Sequence, residues 1–163
     1  MKLIFLDVDG VLNCSSTKAR LDTFIFVEEK KIELLKQLVD RTDAKIVLSS
    51  TWRHGWADLE NGLDSRDARH FIALRDKLRE YEIELFDYTA ITNGAMDRRG
   101  EEIGLWLEKH SEIMIDGMVI LDDLNGMYVR PYAKHLVRTS FMKGLEEKHV
   151  ELAMKILNEA VKE

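Results

Sequence analysis

The chain has 163 residues, 45% hydrophobic and 33% charged, with a formal net charge of −6. That balance fits one soluble globular domain over residues 1–163 and excludes a disordered or membrane-embedded chain; the acidity argues against a protein whose main work is coating nucleic acid, though not against action on a nucleic-acid end through a local basic patch. No apolar run is long enough to span a bilayer, signal-peptide flanks are missing after Met1, and the single Cys14 allows no internal disulfide, so a cytoplasmic setting is expected.

Leu3 to Leu6 is an apolar run of the kind buried on both faces of a parallel sheet. It meets Asp7, Val8, Asp9 and Gly10. Two carboxylates straddling one apolar residue at a buried strand end repel each other and lose hydration unless a cation or protons compensate. Solvated loop acids are the plain alternative. Residues 13–27 read as an irregular connection, with Leu21 and Phe24 to Val27 forming an apolar, flap-like piece. Ile32, Leu35, Leu38 and Val39 then recur at helical spacing, which predicts an amphipathic helix over about 28–41. Ala44 to Leu48 is a second buried strand, ending in Ser49-Ser50-Thr51-Trp52-Arg53.

Residues 54–65 are polar and contain glycine, which reads as a loop. A helix over about 66–81 places Phe71, Leu74 and Leu78 on one face. Leu85 to Thr92 reads as a short strand leading into Asn93-Gly94. Asp97 is the expected N-cap of a helix from Arg98 to about His110. Gly117 to Leu121 is another strand, ending in Asp122-Asp123. His135 to Arg138 is a last short strand, and Glu146 to Val161 a closing helix.

Strands alternating with helices imply an α/β, Rossmann-like three-layer domain with a mainly parallel central sheet. Binding crevices in such sheets lie beyond the carboxyl ends of the strands. Asp7/Asp9, Ser49/Ser50/Thr51 and Asp122/Asp123 each occupy such an end. Clustered carboxylates suit Mg2+, which takes one or two of them together with substrate phosphate. The Ser49 hydroxyl suits a phosphoryl oxygen. Arg98 and Arg99 stand at a predicted helix start, where the dipole disfavours cations but an anion would be welcome. The set reads as magnesium, phosphate and an aspartate placed to attack.

Asp7-Val8-Asp9-Gly10-Val11 resembles the first motif of the haloacid dehalogenase (HAD) superfamily, Asp-x-Asp-x-Thr/Val. Val47-Leu48-Ser49 is similar to its second motif. Arg99, within Arg98-Arg99-Gly100-Glu101-Glu102-Ile103, falls where the third-motif cation is expected. Leu121-Asp122-Asp123 resembles the fourth. Ser49 to Arg53, Arg99 to Ile103 with Trp106-Leu107, and Leu121 to Asp123 are together similar to a narrower branch, the small HAD domain of Swiss Army Knife RNA repair proteins.

The resemblance implies a magnesium-dependent phosphate monoester hydrolase working through an aspartyl-phosphate. Asp7 would be the nucleophile and Asp9 the general acid, then base. Asp7, the Asp9 carbonyl, Asp122 and Asp123 would hold the metal, Asp123 directly or through water. Ser49, the backbone N–H groups after it, including that of Ser50, and Arg99 would hold phosphate. The third-motif residue is often lysine; two adjacent arginines compete here, and Arg99 fits the Arg-Gly-x-Glu-Ile spacing better than Arg98. An arginine keeps its proton, so its role would be electrostatic. Neither 13–27 nor the stretch between the second and third motifs is long enough for a full cap domain. A largely uncapped site is open enough for a macromolecular substrate such as a nucleic-acid end or a phosphoprotein, though dimerisation could close it instead; the substrate stays open as a phosphorylated small molecule, nucleotide or nucleic-acid end. The alternatives are a phosphotransfer or phosphoacceptor module and an inactive binding module associated with RNA repair.

Other residues carry two readings each. Trp52 either stacks on a base or packs. Trp106 reads as core. Arg53 either reaches a phosphate or pairs with an acid, and Asn13 either shapes the turn or touches substrate. Cys14 has no neighbouring histidine in sequence to activate it and reads as a bystander thiol. The five histidines show no metal-ligand spacing and read mostly as surface residues.

Overall fold

Strand alternation decides the layers. The computed structural model describes residues 1–92 and 98–159. In chain order the elements are β1 (Lys2–Leu6), β2 (Arg20–Leu21), β3 (Phe24–Ile25), α1 (Glu29–Thr42), β4 (Lys45–Leu48), α2 (Arg53–Glu60) and α3 (Arg66–Arg79). They continue with β5 (Leu85–Tyr88), α4 (Arg99–Lys109), β6 (Gly117–Asp122), β7 (Leu136–Arg138) and α5 (Glu147–Asn158). Five strands form a parallel sheet in the order β5-β4-β1-β6-β7, while β2 and β3 make a separate antiparallel hairpin.

Successive side chains of a strand point to opposite faces. Ile4, Leu6, Ile46, Leu48, Val119 and Leu121 meet one apolar layer, into which α1, α3 and α5 bury Leu35, Leu74 and Ala153 among others. Leu3, Phe5, Val47, Met118 and Ile120 meet the opposite layer, covered by Ile103 and Trp106 of α4 and by Val129. The sheet is therefore sandwiched between helices, as its unbroken apolar strands require.

The expected elements return with shifted ends, apart from one. Residues 54–65 do not form a loop throughout, because Arg53–Glu60 is helical. Glycine and polar residues gave the segment the look of a loop. Gly55, however, is where α2 crosses α3, and a Cβ there would overlap the Asp67 carbonyl oxygen. Glycine is present for close helix approach, not for a turn. Trp56 then stacks on Phe71 at 5.0 Å between ring centroids. The apolar piece after residue 20 is the β2–β3 hairpin, with Asp22 at φ 55° in its turn. β5 stops at Tyr88 rather than Thr92, and α4 starts at Arg99 rather than Arg98. The Asn93-Gly94 turn, the Asp97 cap and Val161 at the end of the last helix lie outside the described residues.

Candidate active site

Sheet register brings the polar strand ends together. Leu6 pairs with both Leu48 and Leu121. The next residues are therefore Asp7, Ser49 and Asp122, side by side on three adjacent strands. Their ladder continues one step further, with Asp7 N–H donating to the Leu121 carbonyl at 2.9 Å and Ser49 N–H to the Leu6 carbonyl at 2.9 Å. Asp7, Ser49 and Asp122 share the parity of Phe5, Val47 and Ile120. They lie on the α4 side of the sheet, where the first turn of α4 carries Arg99.

Carboxylate oxygens of Asp7, Asp122 and Asp123 all lie within 4.8 Å of one another. Asp122 is fully buried, and Asp7 is 8% exposed. Burial, then the Asp122 charge, pushes the Asp7 carboxyl well above the usual carboxylate range, with Arg99 pulling the other way. Burial and Asp122 likewise raise Asp123. A crowded, desolvated set of hard oxygen donors is what a divalent cation such as magnesium relieves, so the residues present fit one. Gly10 completes the enclosure. It has φ +83°, and a Cβ there would overlap the Asp123 carboxylate. Thr139, just past β7, donates its hydroxyl to the Gly10 carbonyl at 2.6 Å and pins the turn from across the sheet.

The Ser49 hydroxyl is buried and has no hydrogen-bond partner among the described residues, as is that of Thr89 beyond β5. An orphaned buried hydroxyl costs free energy unless a ligand satisfies it. Ser49 is the hydroxyl the sequence points to; Thr89 falls inside the strand expected over 85–92, and only the observed end of β5 at Tyr88 places it beyond a strand end. Ser50 is also buried, but its hydroxyl is engaged, accepting from Trp52 N–H at 3.2 Å.

Arg53 resolves toward the structural alternative. It is 3% exposed and pairs with Glu102 of α4 at 2.6 Å. It also donates to the carbonyls of Ser49 at 3.1 Å, Ser50 at 2.8 Å, Thr89 at 3.3 Å and Ala90 at 3.2 Å. One guanidinium thus ties the ends of two strands to α4.

Of the competing arginines, Arg99 joins the acids. It is buried, pairs with Asp122 and lies 3.6 Å from Asp7. Arg98 is exposed and faces Glu101 at 3.7 Å. Gly100 explains the Arg-Gly sequence, since a Cβ there would overlap the Arg130 carbonyl oxygen. Only glycine lets α4 seat deeply enough to bring Arg99 to the cluster.

Asp9 stands apart from the three clustered carboxylates. The chain turns at Asp9-Gly10, so Asp9 does not continue the strand beside Asp7. Its Oδ1 accepts from Asn13 Nδ2 at 2.9 Å and its Oδ2 from Trp52 Nε1 at 3.1 Å. The Asn13 Oδ1 accepts in turn from Gly10 N–H at 2.9 Å. Asn13 therefore shapes the turn, and Trp52 both packs and orients an acid. Asp9 also faces a groove of ≈ 520 Å³ between the hairpin and the starts of α2 and α3.

Trp106 is core, edge-on to Phe5 at 5.7 Å. Cys14 is buried against Ser16 and Thr17. The histidines depart from the surface expectation: His70 and His149 are buried, and only His54 is exposed. His70 bonds Asp22 at 2.7 Å, and His149 Nδ1 accepts from Glu146 N–H at 3.0 Å, contacts that helical spacing alone could not reveal.

No described helix is long and apolar enough to cross a membrane. No curated protein matches the chain. A family model described as the HAD domain in Swiss Army Knife RNA repair proteins matches residues 3–150, a span that contains every strand-end residue above. The chain belongs to that family of HAD domains.

Proposed function

We propose that the chain acts as a single catalytic unit, a magnesium-dependent phosphate monoester hydrolase. The observation that carries this reading is the meeting of three crowded carboxylates with the unpartnered, buried Ser49 hydroxyl and the Arg99 guanidinium at one sheet edge. Acids alone would suit many cations. Acids beside orphaned donors suit a cation together with an oxyanion.

In this reading an Asp7 carboxylate oxygen attacks phosphorus and forms the new P–O bond. The ester P–O bond breaks, and the leaving oxygen takes the Asp9 proton. Water then attacks the aspartyl-phosphate, gives its proton to Asp9 and releases inorganic phosphate. Asn13 and Trp52 hold Asp9 for both transfers. Ser49 and the backbone N–H groups of the following turn, at Ser50 and beyond, hold phosphoryl oxygens, and Arg99 opposes their charge. Magnesium, held by Asp7, Asp122 and Asp123, with the Asp9 carbonyl as the further expected ligand, would supply positive charge against those oxygens when bound.

One observation favours a second reading. Arg99 already neutralises Asp122, so the cluster is partly compensated without a metal. A domain that binds phosphorylated ends without turnover, serving an RNA-repair assembly, would need no more than that. Assay of small phosphomonoesters, nucleotides and 3′- or 5′-phosphorylated oligonucleotides, with magnesium and with chelator, separates the two. Metal-dependent release of phosphate, lost in Asp7→Asn, is expected. Binding without release would establish the second reading, and turnover surviving Asp7→Asn would remove the nucleophile assignment.

A further inference from the structure

The groove beyond Asp9 has a definite chemistry. At ≈ 520 Å³ it falls in the ~300–1,000 Å³ range of small-molecule sites. Asp9 lines it, and the three clustered acids do not. In the reaction proposed above, on which this inference rests, Asp9 serves the leaving oxygen. The groove is therefore where the alcohol half of the ester lies.

One wall is an aromatic chain leading away from Asp9. Trp52, bonded to Asp9, lies 6.1 Å from His70 between ring centroids, and His70 lies 5.3 Å from Phe24. His70 is fixed by Asp22 of the hairpin turn at 2.7 Å. The Arg66 guanidinium stands 5.0 Å from the Phe24 ring centroid. Phe141 joins from the segment after β7, and both phenylalanines are 43% exposed. Part-exposed phenyl rings lining one groove offer apolar faces to a ligand held there. Rings with a cation at the end suit a flat, hydrogen-bonding aromatic ligand.

We propose that this groove binds the base of a nucleoside, so that the substrate is a nucleoside phosphate, free or at the end of an oligonucleotide. The length of the wall selects this over an aryl phosphate. An aryl ring, bonded directly to the ester oxygen, starts beside Trp52, from which His70 stands 6.1 Å and Phe24 a further 5.3 Å between ring centroids. A nucleoside interposes its sugar, which carries the base past Trp52 to the exposed Phe24 and Arg66. Thr51 and Asp67, which also line the groove, offer polar contacts to the base edge.

The test uses the full chain with magnesium. Phe24→Ala and Phe141→Ala are assayed on 3′- and 5′-nucleoside monophosphates, phosphorylated oligonucleotides, glycerol phosphate and phosphotyrosine. Each substitution removes one stacking face, and KM for the nucleoside phosphates is expected to rise about tenfold with kcat unchanged. The KM for glycerol phosphate, which has no base to stack, is expected to rise less than that for the nucleoside phosphates. A lower KM for oligonucleotides that is lost in Arg66→Ala assigns the source to strand ends, and equal values assign it to free nucleotides; either upholds the groove. Preference for phosphotyrosine, or nucleoside phosphates hydrolysed no better than glycerol phosphate, would overturn it. If no ester is hydrolysed the proposed reaction fails, and nucleoside titration followed by NMR still decides the groove. Saturable binding weakened in both variants supports it, and absence of binding refutes it.

Discussion

Arg99 is ion-paired with Asp122, one of the three acids that would hold a cation, and its guanidinium also lies 3.6 Å from Asp7. In the proposed reaction the same positive charge serves the acids and opposes the phosphoryl oxygens. A pair of charges 4 Å apart is worth ~4 kcal/mol at an effective dielectric of ~20. Even a fraction of that opposes a competing cation. Arg99→Gln is expected to tighten magnesium binding about tenfold in calorimetric titration, while kcat falls about 10²–10³-fold because the oxyanion loses its counter-charge. Unchanged magnesium affinity in that variant would mean the guanidinium and the metal do not share the acids.

Crowding of the acids has a cost in stability with a definite sign. The Asp7 carboxyl is raised by burial first and by Asp122 next, and Asp123 is raised in the same direction. Well below about pH 4 these groups are protonated both folded and unfolded. As pH climbs above that, the unfolded chain ionises first, the folded chain holds more protons, and stability falls until the folded pKa is passed. Metal-free Asp7→Asn is therefore expected to melt above the parent at pH 7.5, by ~2–4 °C for each kcal/mol relieved, with the gap narrowing toward pH 5. Magnesium should raise the parent more than the variant. Thermal melts in chelator and in magnesium at both pH values check this; coincident curves for the two proteins would contradict it.

Local patterns carried the frame and long-range contacts carried what it hid. Leu3 to Leu6 followed by Asp7 was legible because an apolar strand and a desolvated acid are both properties of a few adjacent residues. The three strand-end clusters were legible because parallel topology sends such ends to one edge. Gly55 was misread because its reason is the Asp67 backbone, which sequence does not bring near. Trp52 reaches Asp9 across 43 residues, and Thr139 reaches the Gly10 carbonyl across 129. Neither pairing leaves a periodic trace. Arg99 was separable from Arg98 only through Gly100, whose missing side chain allows the close approach to Arg130.

Trp52 offers a way to separate orientation of Asp9 from binding in the groove. Trp52→Phe keeps a ring against His70 and Phe26 but removes the N–H that reaches Asp9 Oδ2. A single hydrogen bond is worth ~0.5–1.5 kcal/mol net, and Asn13 still holds the other oxygen. The expected result is a kcat lower by about tenfold with KM nearly unchanged. Rapid-quench and steady-state assays distinguish this from a stacking loss, in which KM would rise and kcat would hold.

Arg53 is the sharpest test of structure against substrate contact, because both readings were open from sequence. It is 3% exposed, engaged with four carbonyls and paired with Glu102 at 2.6 Å. Glu102 in turn accepts from Thr92 N–H at 3.1 Å. Removing one partner of a buried pair leaves the other charge uncompensated, at a cost of ~3–5 kcal/mol. Arg53→Ala should therefore lower the melting temperature by roughly 6–20 °C, using ~2–4 °C per kcal/mol. Arg53→Lys should recover only part, since an ammonium cannot span the four carbonyls and the acid with a planar fork. Arg53→Met with Glu102→Leu should recover more than Arg53→Ala, because no lone charge remains buried, and the cycle of single and double variants isolates the pair. A variant that melts like the parent but shows a raised KM for phosphate esters would instead assign Arg53 to the substrate.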